Sequence, residues 1–185
     1  IRAILIMKTI GELQKKVRNA SQLRISNSHD ESSDELLNMK SYSGVVEYFP
    51  EELVITVKAG TLIKDISQTL RKKNQALPFF IENEEKTIGS LYATAGSDLS
   101  DSVLGVQIIN GKGDLLNFGG QVMKNVAGYD VSRLLVGSLG KLAVITQISF
   151  KVFPGKLAQE RKNNQTKKIN DSPLREEIEQ RLKDV

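Results

Sequence analysis

The sequence predicts an α+β fold, and three observations carry that prediction. Apolar residues recur at helical spacing in some segments, while β-branched residues crowd into short runs in others. The two kinds of segment alternate without a strict strand–helix–strand rhythm, which argues against a doubly wound parallel sheet. Glycine and Asx clusters punctuate the boundaries, and 185 residues with 39% hydrophobic content suffice to bury a core.

In chain order, Ile10, Leu13 and Val17 place an amphipathic helix between Thr9 and Ala20. Leu23-Arg24-Ile25 reads as a short strand, and the polar, acidic stretch from Ser26 to Lys40 reads as a loop. Val45-Val46-Glu47-Tyr48 and Leu53 to Ala59 read as strands joined by a Phe49-Pro50-Glu51-Glu52 turn. Gly60-Thr61 ends the second of these and caps a helix whose Leu62, Ile63, Ile66 and Leu70 share one face. Thr87 to Gly96 is a run of small residues suited to close approach of a backbone or ligand. Leu104 to Ile109 and Leu115 to Phe118 form a hairpin across Asn110-Gly111-Lys112-Gly113-Asp114, where glycine supplies positive φ. A short helix through Ser132 to Leu135 precedes a long strand whose Val144, Thr146, Ile148, Phe150 and Val152 point one way. Residues 156–172 read as a polar, basic linker. Residues 173–185 read as a helix, with Ser172 capping, Pro173 at its first turn, and a Leu174, Ile178, Leu182 stripe.

Composition removes several kinds of chemistry. Cysteine is absent, so disulfides, thiolate zinc sites, iron–sulfur ligation and a cysteine nucleophile are excluded. The single histidine, His29, sits in the polar stretch and reads as a solvent-exposed loop residue rather than part of a Ser-His-Asp triad. No window reaches the roughly 18 consecutive apolar residues of a membrane span. The net charge of +4 arises in good part from the linker cations, and aromatics are only 5%, so no stacking, basic nucleic-acid surface is expected. No metal site is expected, redox activity would need a borrowed cofactor, and the expected location is the cytoplasm, with any membrane association coming through partners.

The most informative segment is Phe118 to Pro154, and its glycine-dense run spans Phe118 to Gly140. It holds Gly119-Gly120, Lys124-Asn125, Gly128-Tyr129-Asp130 and Gly137-Ser138-Leu139-Gly140. Glycines let backbone N–H groups reach phosphate oxygens, and the following strand edge offers donors and acceptors to a planar ring. Read alone, the same glycines are better explained as turns and caps. The run, together with Tyr48 to Thr61 ending in Ala59-Gly60-Thr61, resembles flavoproteins with a vanillyl-alcohol-oxidase (PCMH-type) FAD domain. Within them it is most similar to the FAD-binding subunits of bacterial glycolate oxidases. The resemblance covers roughly Met7 to Pro154.

The resemblance implies a two-lobed α+β PCMH-type domain over 7–155, with lobes of about 7–59 and 60–155 and FAD extended between them; the substrate cap domain usual in the family after Pro154 is expected to be missing here. It implies cofactor contacts from Thr87, Gly89, Ser90, Ala93 and Gly96, then from Asn125, Gly128, Tyr129 and Asp130. The adenine end would meet Gly137 and Gly140 with the backbone of Ala143, Val144 and Ile145. Lys124 reads either as a cation facing phosphate or flavin or as a surface lysine, and Tyr129 as a core residue more than a stacking one. The chain departs from the family where a glycine-rich loop usually wraps the pyrophosphate. Ile25 is followed by Ser26-Asn27-Ser28-His29-Asp30-Glu31, without glycine and with negative charge. Ser90 stands where a second glycine is usual, and Ala143 replaces another.

The activity so implied is FAD-dependent oxidation of a 2-hydroxy acid such as glycolate or lactate. Electrons would pass to a second flavoprotein subunit and an iron–sulfur subunit, and no catalytic residue is assigned. A non-catalytic assembly subunit, or a family member that has lost tight FAD binding, stays open as the alternative.

Overall fold

The computed structural model describes residues 9–26, 35–120 and 130–157. Thr9 opens helix α1 (Ile10–Asn19) with a reciprocal cap. Its hydroxyl accepts from the Glu12 N–H, and the Glu12 carboxylate accepts from the Thr9 N–H. Leu13 and Val17 fall on the face this helix buries. Strand β1 (Arg24–Ser26) pairs in parallel with β2 (Leu36–Asn38). That second strand corrects the loop expected across Ser26–Lys40. Three residues beside an acidic run are too few to show alternation, and the strand owes its existence to pairing: Arg24 N–H donates to Glu35 O and Met39 N–H to Ser26 O.

Strands β3 (Val45–Phe49) and β4 (Val54–Lys58) form an antiparallel hairpin. Helix α2 (Ile63–Arg71) follows, with Ile63, Ile66 and Leu70 buried on one face. Thr61 does not cap it. The flanking position is Leu62, which makes no side-chain cap bond. The Thr61 hydroxyl instead donates to Lys58 O at 2.7 Å and accepts from the Gly44 N–H at 2.9 Å. It therefore pins the exit of β4 to the segment before β3. Gly60, beside it, lies so close to that segment that a Cβ would stand 1.9 Å from Met39 O and 2.6 Å from Tyr42 O.

Strand β5 (Gln75–Ala76) precedes helices α3 (Ile88–Thr94) and α4 (Ser97–Ser100), and the small-residue run of the sequence proves to be helical at α3. Strands β6 (Val103–Ile109) and β7 (Leu115–Gly119) form the expected hairpin. Asn110 Oδ1 accepts from the N–H groups of Lys112 and Asp114, and Gly113 supplies the positive φ of 78°. Helix α5 (Val131–Leu134), strand β8 (Val144–Lys151) and strand β9 (Phe153–Pro154), which pairs with β5, complete the described elements.

The principal sheet is fully antiparallel in the order β3-β4-β8-β6-β7. It runs across the lobe divide expected at 59/60, since β4 pairs with β8 from Val54↔Lys151 to Lys58↔Gln147. Its covered face carries Ile55, Val57, Ile148 and Phe150, which join Leu13, Ile63, Ile66, Leu70, Ile88 and Tyr92 in one core. Phe79 closes it with a tilted ring contact to Phe150 at 5.5 Å.

One alternation differs from expectation. A register shift in β8 sets Ile145 opposite Ile108 while Ile148 stays opposite Val106. Residues paired across an antiparallel ladder share a face, so Ile145 shares the face of Ile148 and Phe150, while Val144, opposite Ile109, is buried in the same core from the next register position. The expected linker beyond Leu157 and the helix at 173–185 lie outside the described residues.

Candidate functional site

A cavity of about 180 Å³ opens where α3, the ends of β1 and β4, and the loop leading to β8 meet. Thr87 begins α3 as its N-cap, its hydroxyl accepting from the Ser90 N–H. The helix start is bound to the exit of β4: Ile88 N–H donates to Thr61 O and Gly89 N–H to Ala59 O, both at 2.8 Å. Gly89 makes this approach possible, because a Cβ there would lie 2.8 Å from both Ala59 Cβ and Ala59 O. With α3 so seated, Ser90, Ala93 and Thr94 fall on one helix face and line the cavity together.

The opposite end of α3 is tied to the loop at 137–140. Gly137 N–H donates to Tyr92 O at 3.0 Å and Leu139 N–H to Ala93 O at 2.9 Å, which satisfies carbonyls that a helix end leaves open. The buried Tyr92 hydroxyl donates to the Ser132 carbonyl and joins α3 to α5. Burial first, and the Asp130 charge second, push its phenol pKa well above the ordinary value of 10.0. The cavity wall is chiefly apolar, from Ile25, Met39, Ala59, Leu139 and Ile145, with hydroxyl-bearing Ser26, Thr87, Ser90 and Thr94. Among the described residues that line the cavity, none carries a charged side chain.

Of the residues expected to hold a cofactor, Thr87, Gly89, Ser90, Ala93, Gly140 and Ile145 line this one cavity. Gly96, Asp130, Gly137, Ala143 and Val144 do not. Gly96 is exposed, and a Cβ there would meet open space. Asp130 caps α5, accepting from Ser132 Oγ at 2.7 Å and Arg133 N–H at 3.1 Å, and pairs with Arg133 Nε. Val144 sits in the ladder opposite Ile109, and Ala143 packs against the core. His29, Lys124, Asn125, Gly128 and Tyr129 lie outside the described residues. Sequence reasoning missed Ile25, Ser26, Met39, Ala59, Thr94 and Leu139. Ala59 had a signal, as a small residue between a strand and Gly60.

Tyr92→Phe is expected to cost about 1–2 kcal/mol, because the Ser132 carbonyl loses its donor in a buried place. The unaltered protein keeps its phenol proton when folded and loses it sooner when unfolded. This part of its stability is therefore complete below pH 10.0 and is lost as pH rises above it, a decline the phenylalanine variant lacks. Urea unfolding of both proteins at neutral and strongly alkaline pH measures the difference.

Comparison with known proteins gives a consistent result. A family described as an FAD binding domain matches residues 2–119, a span that holds β1, β2, β4 and α3 of the cavity but not its Leu139, Gly140 and Ile145. The chain is 45% identical over 128 residues to the glycolate oxidase subunit GlcE of Escherichia coli (strain K12), covering 64% of this chain and 37% of that protein. It is 29% identical to the glycolate oxidase subunit GlcD of Bacillus subtilis (strain 168), covering 64% of this chain and 27% of that one. It is 33% identical over 104 residues to a D-lactate dehydrogenase of Archaeoglobus fulgidus, covering 52% and 24%. The chain thus spans between a quarter and somewhat over a third of the length of these curated relatives.

Proposed function

The chain belongs to the family of FAD binding domains, and on that premise we propose that it holds FAD with one portion of the dinucleotide in the cavity beside α3. The observation that carries this reading is the convergence of Thr87, Gly89, Ser90, Ala93, Gly140 and Ile145, from segments far apart in sequence, on one small uncharged space. The residues present fit a ring of FAD. Its walls are chiefly apolar, Ala59 and Ala93 add little bulk, and hydroxyl-bearing Ser26 and Ser90 are among the residues that line it. At about 180 Å³ the space is below the roughly 300–1,000 Å³ of whole-ligand sites, so it takes a part of the dinucleotide. The described residues of its wall carry no cation, and they suit the ring better than the pyrophosphate.

When bound, the flavin supplies acceptance of a hydride equivalent. The reaction proposed is oxidation of a 2-hydroxy acid such as glycolate or lactate, by this chain as a subunit of a glycolate oxidase-like assembly. A second flavoprotein subunit and an iron–sulfur subunit would take the electrons onward. The location proposed is the cytoplasm, with membrane association through those partners; among the described residues no helix is long and apolar enough to cross a membrane. The residues of the cavity bind, orient and exclude water. None of the described lining residues carries a carboxylate, imidazole or amine, so the group that takes the substrate proton lies outside this described set. That observation also favours a second reading, a subunit that serves assembly while another performs the chemistry.

Titrating the purified full chain with FAD separates the two. Saturable one-to-one binding with a Kd of about 10 μM or tighter, and a change in the flavin absorption bands, is expected. No binding up to high micromolar FAD would overturn the cofactor reading and leave the assembly role.

A further inference from the structure

We propose that Leu139 is a cofactor-contacting residue, held in a left-handed backbone conformation so that its side chain lies against the ligand; this rests on the FAD-binding reading above. Its φ is 55°, a region in which a Cβ crowds the backbone and which glycine enters freely. In the loop from 137 to 140, Gly137, Leu139 and Gly140 have φ of 74°, 55° and 69°. Two of the three are glycine, the residue this backbone path favours, and the third keeps a large apolar side chain.

Two other described residues with side chains share the conformation, and each has a local reason. Asn74 is of a type that adopts it readily, and Leu53 packs its side chain against the hydrophobic core. Leu139 has neither. It is 61% exposed and is not among the hydrophobic residues packed on the core. What Leu139 does border is the cavity, together with Ser90 and Ala93 of α3.

The position is also rigid. Leu139 N–H is bonded to Ala93 O at 2.9 Å, Ser138 N–H to Leu135 O at 3.2 Å, and Lys141 N–H to Ser138 O at 3.0 Å. The backbone that carries Leu139 is thus fixed relative to the helix that supplies much of the same wall. Gly140 completes the mouth, since a Cβ there would stand 3.1 Å from Ile25 Cδ1. An apolar side chain presented from a held backbone at such a place gains by shedding water onto a ring.

The test uses the full chain with Leu139→Ala, Leu139→Gly and a control, Leu142→Ala. Leu142 is 63% exposed in the same connection but does not line the cavity. FAD affinity is read by titration and stability by thermal melting followed by circular dichroism. Both Leu139 variants are expected to bind FAD about tenfold more weakly, the scale of one leucine contact, while Leu142→Ala binds as the unaltered chain does. Leu139→Gly is expected to melt at the same or a higher temperature, because the left-handed residue is relieved. A purely structural turn residue would give that stability gain without the affinity loss. Unchanged affinity in both Leu139 variants, or a loss confined to the glycine variant, overturns the proposal. No uptake by the unaltered chain overturns the FAD reading and this inference with it, whereas uptake by the unaltered chain and the Leu139 variants alike overturns this inference alone.

Discussion

Ala93→Phe is expected to abolish FAD uptake, weakening binding by more than about a hundredfold, or roughly 3 kcal/mol, while the melting temperature changes by only a few degrees. Ala93 is partly buried on the face of α3 that lines the cavity, and its own carbonyl is already bonded to Leu139 N–H. A phenyl ring placed there grows into a space of about 180 Å³ rather than into packed core. It would occupy much of the room the ligand needs at little cost to the fold. Titration and thermal melting on the same preparation give both numbers. Wild-type affinity in a folded variant would show that FAD does not enter this cavity.

Gly60→Ala is expected to be among the most destabilising single-methyl additions in the chain. The added carbon would meet Met39 O and Tyr42 O, at 1.9 and 2.6 Å. Both are backbone atoms, so no flexible side chain can step aside. Relief requires the 39–42 segment to move, which strains the Gly60 N–H to Tyr42 O bond at 3.0 Å and the nearby Thr61 clasp on Gly44. A cost of about 3 kcal/mol or more follows, and at roughly 2–4 °C per kcal/mol the melting temperature falls by about 10 °C. FAD affinity should fall too, because Met39 and Ala59 both line the cavity. A melt indistinguishable from the unaltered protein would refute this account of the β4 exit.

The elements read correctly from sequence are those whose stabilising pattern is local. Helices α1 and α2 carry one-sided apolar spacing, and the β6–β7 hairpin has its Asn110 to Asp114 turn. Strand β2 is not legible in this way, because its cause is a partner, β1, separated from it by an acidic stretch. Thr61 misleads because a threonine after glycine and before an apolar stripe has the form of a cap, yet its hydroxyl is already committed to Lys58 and Gly44. At the site, Thr87 to Ala93 show through their small size and through the family resemblance. Leu139 does not, since nothing in a leucine announces a left-handed backbone. Ile145 is expected through its backbone at the adenine end, but the register shift that turns its side chain toward Ile148 has no signature in the alternation.

The sheet order carries a consequence for biosynthesis. Its middle strand, β8, is the last of the five to leave the ribosome, yet it alone joins the β3–β4 hairpin to the β6–β7 hairpin. Until residues 144–151 emerge, the nascent chain holds two separate hairpins with bare inner edges, each open to pairing with the wrong neighbour. A chaperone that shields β4 and β6 during elongation would therefore raise the yield of soluble product more than one acting after release.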